Sequence, residues 1–135
     1  MTTLTEGCVR RGVVWQTAIE FTDGYKFQGS FRVPTADSYA LAIRYNKHSE
    51  LVRIGENPID RFTVAFSIKD GANVIKEATL VDPHGTVIFG DHQTSRVLCG
   101  FEGRPGAKYD LYLHIQKPDP ELASTAPHAL ILRQP

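Results

Sequence analysis

Five histidines (His48, His84, His92, His114 and His128) and two cysteines (Cys8 and Cys99) are the residues of this 135-residue chain with the most obvious metal or nucleophilic chemistry. No two histidines stand i, i+2 on a strand or i, i+4 on a helix, the spacings that turn two imidazoles toward one ion. Asp82, His84, Asp91 and His92 come nearest to a ligand set, since they flank one short apolar run. Asp91 and His92 are adjacent and point apart in an extended chain, while Asp82 and His84 fall in a Pro-containing turn where they satisfy backbone groups. No metal is predicted. Nor is a cofactor, because Gly12, Gly24, Gly55, Gly71 and Gly85 stand singly at turns rather than in a phosphate-cradling loop.

Nucleophilic catalysis fares no better. Cys99 lies between Leu98 and Gly100 with no cationic neighbour in sequence to lower its pKa, and no GxSxG elbow is present. The carboxylates are scattered through turns. A domain without catalytic residues is expected, the alternative being a small enzyme with no recognisable motif. Cys8 and Cys99 match no CxxC spacing and are expected to be idle thiols. A disulfide between them would instead require an oxidising compartment.

Fifteen Lys and Arg balance fifteen Asp and Glu, without a run of like charge. That argues against nucleic acid as a partner. No apolar run approaches the roughly 18–20 residues that span a bilayer as a helix, and MTTLTEGC is too polar for the apolar part of a signal peptide. As it reads, the chain is expected to be cytoplasmic; had a leader been removed ahead of Gly7-Cys8, it would be a periplasmic protein or a lipoprotein. A length of 135 residues suits one domain, expected over residues 1–135.

The elements that must position any site are strands. Tyr39, Leu41, Ile43 and Tyr45 alternate with Ala40, Ala42 and Arg44, and Phe27, Phe31 and Val33 share one parity before Pro34 stops the pairing. Residues 25–45 therefore read as a core hairpin or a corner between two sheets. Val13, Trp15, Ile19 and Phe21 form one face of an earlier strand, with a bulge expected near Gln16-Thr17. Phe62, Val64, Phe66 and Ile68 make a clean strand that ends at the Asp70-Gly71 hairpin signal. Val74 to Val81 has apolar residues on both parities and an unclear register; Thr86 to Gly90 follows a turn, and Ser95 to Phe101 is a weak strand candidate. Tyr109, Leu111, Leu113 and Ile115 form another clear strand, Pro118 to Ser124 one helical turn capped by Asp119, and Ala129 to Leu132 a closing strand. Asn46 to Asp60 is left as a polar connection. The fold class expected is all-β, a single antiparallel β-sandwich of immunoglobulin-like or jelly-roll topology with at most one short helical turn.

FRVPTADSYALAIRY, Phe31 to Tyr45, resembles the F-x-V-P then Y-x-L-x-I pattern of exported bacterial β-sandwich modules, immunoglobulin-like and sugar-binding ones included, and GAKYDLYLHI, Gly106 to Ile115, repeats its style. The matching residues are core residues, so the resemblance implies a fold and carries over no site. Two binding functions follow as expectations. The first is a protein-interaction domain of immunity, adhesion or accessory type, using a sheet face or loops; Arg44, Tyr112 and His114 are the partner-binding candidates because they face outward and suit interfaces. The second is a carbohydrate-binding module with Tyr25 and Tyr112 as platforms, Trp15 being expected in the core. An exposed sheet edge would also allow a homodimer.

Overall fold

A computed structural model of the chain describes residues 12–46, 61–83, 87–90 and 93–134. Nine strands are assigned: β1 (Val13–Ala18), β2 (Lys26–Phe31), β3 (Asp37–Tyr45), β4 (Thr63–Asp70), β5 (Asn73–Val81), β6 (Val87–Gly90), β7 (Gln93–Gly103), β8 (Tyr109–Lys117) and β9 (His128–Arg133). One short helix, α1 (Pro120–Ala123), lies between β8 and β9. The strands form a five-stranded sheet in the order β1-β9-β3-β7-β6 and a four-stranded sheet in the order β2-β8-β4-β5. Every pairing is antiparallel.

The chain changes sheet at nearly every connection, and only β4–β5 and β6–β7 stay within one. With the β6 edge strand set aside, the interleaved orders 1-9-3-7 and 2-8-4-5 are those of a jelly roll. The immunoglobulin-like alternative is thereby replaced. Residues 25–45 accordingly form a corner rather than a hairpin, since β2 and β3 sit in different sheets.

The alternating residues bury as their parity dictates. Tyr39, Leu41 and Ile43 of β3, Val64 and Ile68 of β4, and Leu111, Leu113 and Ile115 of β8 are all essentially inaccessible and belong to one core cluster between the sheets. At one end of that core, Phe31 stacks on Tyr109 with ring centroids 5.4 Å apart, meets Phe101 edge-on at 6.0 Å and touches Trp15 at 5.6 Å. Trp15 is partly buried and packs against the core, on the side its parity suggests.

Three local expectations change. The β1 irregularity lies between Val13 and Trp15, two residues before the expected place. It sends Val13 to a second, outward cluster with Ala40, Ala42, Leu130 and Leu132, while Trp15 packs inward. The β5 register that the sequence leaves open is resolved by an extra residue: Ile68 pairs with Lys76 and Lys69 with Val74, so Ile75 is bulged. The weak 95–101 candidate becomes the longest strand, 11 residues from Gln93 to Gly103. Its hydrophobic signal is diluted because Thr94, Ser95 and Arg96 are buried there, Arg96 completely.

Turn chemistry behaves as read. Asp70 pairs with Asn73 across the two-residue loop Gly71-Ala72, and only Gly71 of that loop has positive φ, at 65°. This is the geometry that asks for glycine at the first loop position. The N–H of Leu122 donates to the carbonyl of Asp119 at 2.9 Å at the start of α1. The connection at 47–60 lies outside the described residues, as do His84, Asp91 and His92 of the ligand set considered above and Cys8.

Gly103 marks a close approach in the core. A Cβ there would stand 2.8 Å from the Tyr39 ring and 3.1 Å from Val33, and Tyr39 has nowhere to move because it is fully buried. Gly103→Ala is expected to destabilise the fold by about 1–3 kcal/mol through overpacking, read as a lowered urea midpoint with an unchanged slope.

Candidate functional site

Strands whose one parity is consumed by the core leave the other parity free to build a surface. On the four-stranded sheet that outward parity is mostly polar, apart from Ala65 and the exposed Val74 and Val81, and the register aligns it into rows. Gln28 of β2 pairs with Tyr112 of β8, Tyr112 with Ser67 of β4, and Ser67 with Glu77 of β5. The next row along runs Lys26, His114, Ala65 and Thr79. On the other side Ser30, Asp110 and Lys69 form a third. With adjacent strands about 4.8 Å apart, each four-residue row crosses roughly 14 Å.

Side-chain size turns the rows into a groove. Ser67 and Ala65 along β4 are small, whereas Tyr112 and His114 stand beside them on β8 with ring centroids 6.4 Å apart and planes inclined at 52°. Tyr112 and His114 are both partly exposed. The hollow against Ser67, Tyr112, Glu77 and Asp110 encloses about 680 Å³. A second hollow of about 470 Å³ continues from it past Asp110 and Gly71, under the β7–β8 loop. That loop is fastened at its base: Arg104 donates to Asp70 Oδ2 at 2.6 Å, the Arg104 N–H donates to the Tyr109 hydroxyl at 3.0 Å, and Arg32 donates to the carbonyl of Gly106 at 3.2 Å.

The hollow offers a phenol, an amide, hydroxyls, two carboxylates and an ammonium, with the His114 imidazole in the next row. Such a set donates and accepts hydrogen bonds along its whole length around one aromatic ring. Among the described residues no group of three or more His, Cys, Asp or Glu side chains is placed to hold a metal ion.

Sequence reasoning named three partner-binding residues, and the structure separates them. Tyr112 and His114 are neighbours on the same face of β8, Tyr112 lining the hollow and His114 in the next row. Arg44 lies on β3 in the opposite sheet, where its guanidinium donates to Gln16 Oε1 at 2.8 Å. Tyr25 precedes β2, packs against the core cluster, and has its phenol pKa raised by burial and then by Glu20. Its ring is partly buried against that cluster. Gln28, Ser67, Glu77 and Asp110 were missed because their meeting depends on the order β2-β8-β4-β5, which no single strand encodes; their outward parity was the only available signal.

Cys99 bears a free thiol. Burial raises its pKa to about 11, against smaller opposing effects of Lys76 and a backbone hydrogen bond with Leu41. That is opposite to what a nucleophilic cysteine needs.

No family model and no curated protein matches the chain. Among solved structures it is similar to a protein from Sulfurospirillum deleyianum, with a TM-score of 0.65 at 10% identity over 89% of this chain and 96% of that one. Looser likenesses are to BtGH115A, a family GH115 4-O-methyl-α-glucuronidase with specificity for decorated arabinogalactans (TM-score 0.42, 12% identity, 91% of this chain and 17% of that one), and to the C-terminal CBM6 of LamC, a marine laminarinase from Zobellia galactanivorans (TM-score 0.37, 10% identity, 92% and 94%). The first of these likenesses is one of fold. Fold and groove together define the class: a jelly-roll β-sandwich with a polar outer sheet face.

With a thiol pKa of about 11, alkylation of Cys99 by iodoacetamide in the native protein is expected to be slow at pH 7–8. Its rate should climb about tenfold per pH unit until it levels near pH 11, because only the thiolate reacts. Peptide mapping by mass spectrometry reads this separately from Cys8; a plateau already reached by pH 9 would contradict it.

Proposed function

We propose that the chain is a non-catalytic binding domain whose ligand lies along the outer face of the four-stranded sheet, and that this ligand is a carbohydrate chain. The observation that carries the reading is the row Gln28, Tyr112, Ser67 and Glu77. It places an amide, a phenol ring, a hydroxyl and a carboxylate side by side across the sheet, over the hollow they line.

The alternative occupant is a protein partner, and charge distribution favours the sugar. The core of a protein interface is depleted in charged residues, because a covered charge must be re-solvated by an exact partner or penalised. Each row here contains an ionisable residue: Glu77 in one, Lys26 and His114 in the next, Asp110 and Lys69 in the third. Sugar hydroxyls both donate and accept, so they serve carboxylate, ammonium and amide alike. Water retained beside them keeps the remaining charges solvated. A partly exposed tyrosine supplies an apolar surface for one sugar ring.

The test is a glycan array probed with the labelled full chain, followed by calorimetric titration of the oligosaccharides retained. Tyr112→Ala is expected to weaken binding about tenfold or more, and Gln28→Ala and Glu77→Ala each by about fivefold, the cost of one hydrogen bond of roughly 1 kcal/mol. Circular dichroism confirms that each variant remains folded. No retained glycan, together with a stoichiometric protein partner whose binding is abolished by the same substitutions, would replace this reading with the protein-interaction one.

A further inference from the structure

We infer that β5 is the edge through which two copies of this chain pair antiparallel, joining their four-stranded sheets into one continuous face. Three large hydrophobic side chains are well exposed among the described residues, and two of them, Val74 (50%) and Val81 (66%), lie on β5. Among the described residues β5 pairs with β4 alone and ends the sheet order. Nine residues long, it is the longest of the strands that end a sheet; β1 and β2 have six residues each and β6 four. It has no proline, and Ile75 and Leu80 are its only members that are not exposed.

Long, exposed edges are ordinarily blunted by proline, by an outward lysine or by brevity. The one lysine of β5, Lys76, is exposed, and its pairing with Ile68 sets it on the other parity from Glu77 and Thr79. What remains on the outward side is Val74, Glu77, Thr79 and Val81, by their pairing with Lys69, Ser67, Ala65 and Thr63.

That pattern suits a second copy. When two β5 strands run antiparallel about a two-fold axis at Ala78, Glu77 of each falls opposite Thr79 of the other. Val81 of each then falls against the bulged Val74–Ile75 of the other. Apolar ends meet apolar ends, and neither Glu77 faces its own copy. This is the self-complementarity that an isologous contact needs, and the formal net charge of zero opposes association by no overall repulsion. The joined face would carry two Tyr112 rows, so a polymeric ligand on the proposed groove would gain avidity; that consequence rests on the carbohydrate reading, whereas the pairing does not.

The experiment is sedimentation equilibrium of the full chain over a concentration series reaching several hundred micromolar, without ligand. A monomer–dimer equilibrium is expected. T79E sets carboxylates against carboxylates twice in the dimer and is expected to weaken it about tenfold or more, while T79E/E77K restores opposite charges and recovers it. Both substitutions are at exposed positions, and thermal melts verify folding. A chain monomeric throughout the series, or a dimer indifferent to T79E, overturns the inference. Either result leaves the glycan array to judge the groove by itself.

Discussion

Phe31 sits where the jelly roll is most constrained. It is the last residue of β2, and its ring contacts Trp15 of β1, Phe101 of β7 and Tyr109 of β8, so it touches elements from both sheets at once. Phe101 also meets Tyr109 edge-on at 5.8 Å and Tyr39 at 6.0 Å, making one aromatic layer that spans the sandwich. Each ring has a large area to bury and a preferred offset, so the layer fixes the separation and the relative position of the sheets. The polar ends of its tyrosines are used as well. The Tyr39 hydroxyl donates to the carbonyl of Thr35 at 2.8 Å, and the Tyr109 hydroxyl accepts the Arg104 N–H. In this way the core layer also holds the 32–37 corner and the β7–β8 loop that borders the groove.

How much of this was legible in the sequence depended on how far each feature is a property of one strand. β3, β4 and β8 were readable because each buries a single parity of large residues, and the Asp70-Gly71 hairpin was readable because its loop is local. β7 was harder to see, since Arg96 is drawn into the interior and breaks the apolar pattern that identifies a strand. The β1 and β5 bulges change which residues face inward without leaving a composition signal, so Val13 and Ile75 could not be placed from parity alone.

The groove shows the same limit from the functional side. Tyr112 and His114 were recognisable as outward residues of a strong strand, and two residues apart on one strand must share a face. Arg44 looked equivalent by that rule. Nothing in its own strand could reveal that β3 belongs to the other sheet, because sheet membership is decided by connections that cross the sandwich. Gln28, Ser67 and Glu77 come from three different strands and become one row through pairing alone.

The two outward faces are not alike. On the five-stranded sheet Ala40, Ala42, Leu130 and Leu132 form a second apolar cluster with Val13 and Val97, and its four central residues are buried. Those residues are already committed to packing. On the four-stranded sheet the corresponding positions hold Lys26, Gln28, Ser67, Asp110 and Glu77, which add little to the hydrophobic core and need water or a polar partner to satisfy them. Stability does not require these particular polar types there, since solvent-facing strand positions tolerate many residues at small cost. Ser67 of β4 beside the Tyr112 ring of β8 lines a hollow rather than a flat face. The fold therefore places its apolar burden between and behind the sheets, and leaves one face free for binding.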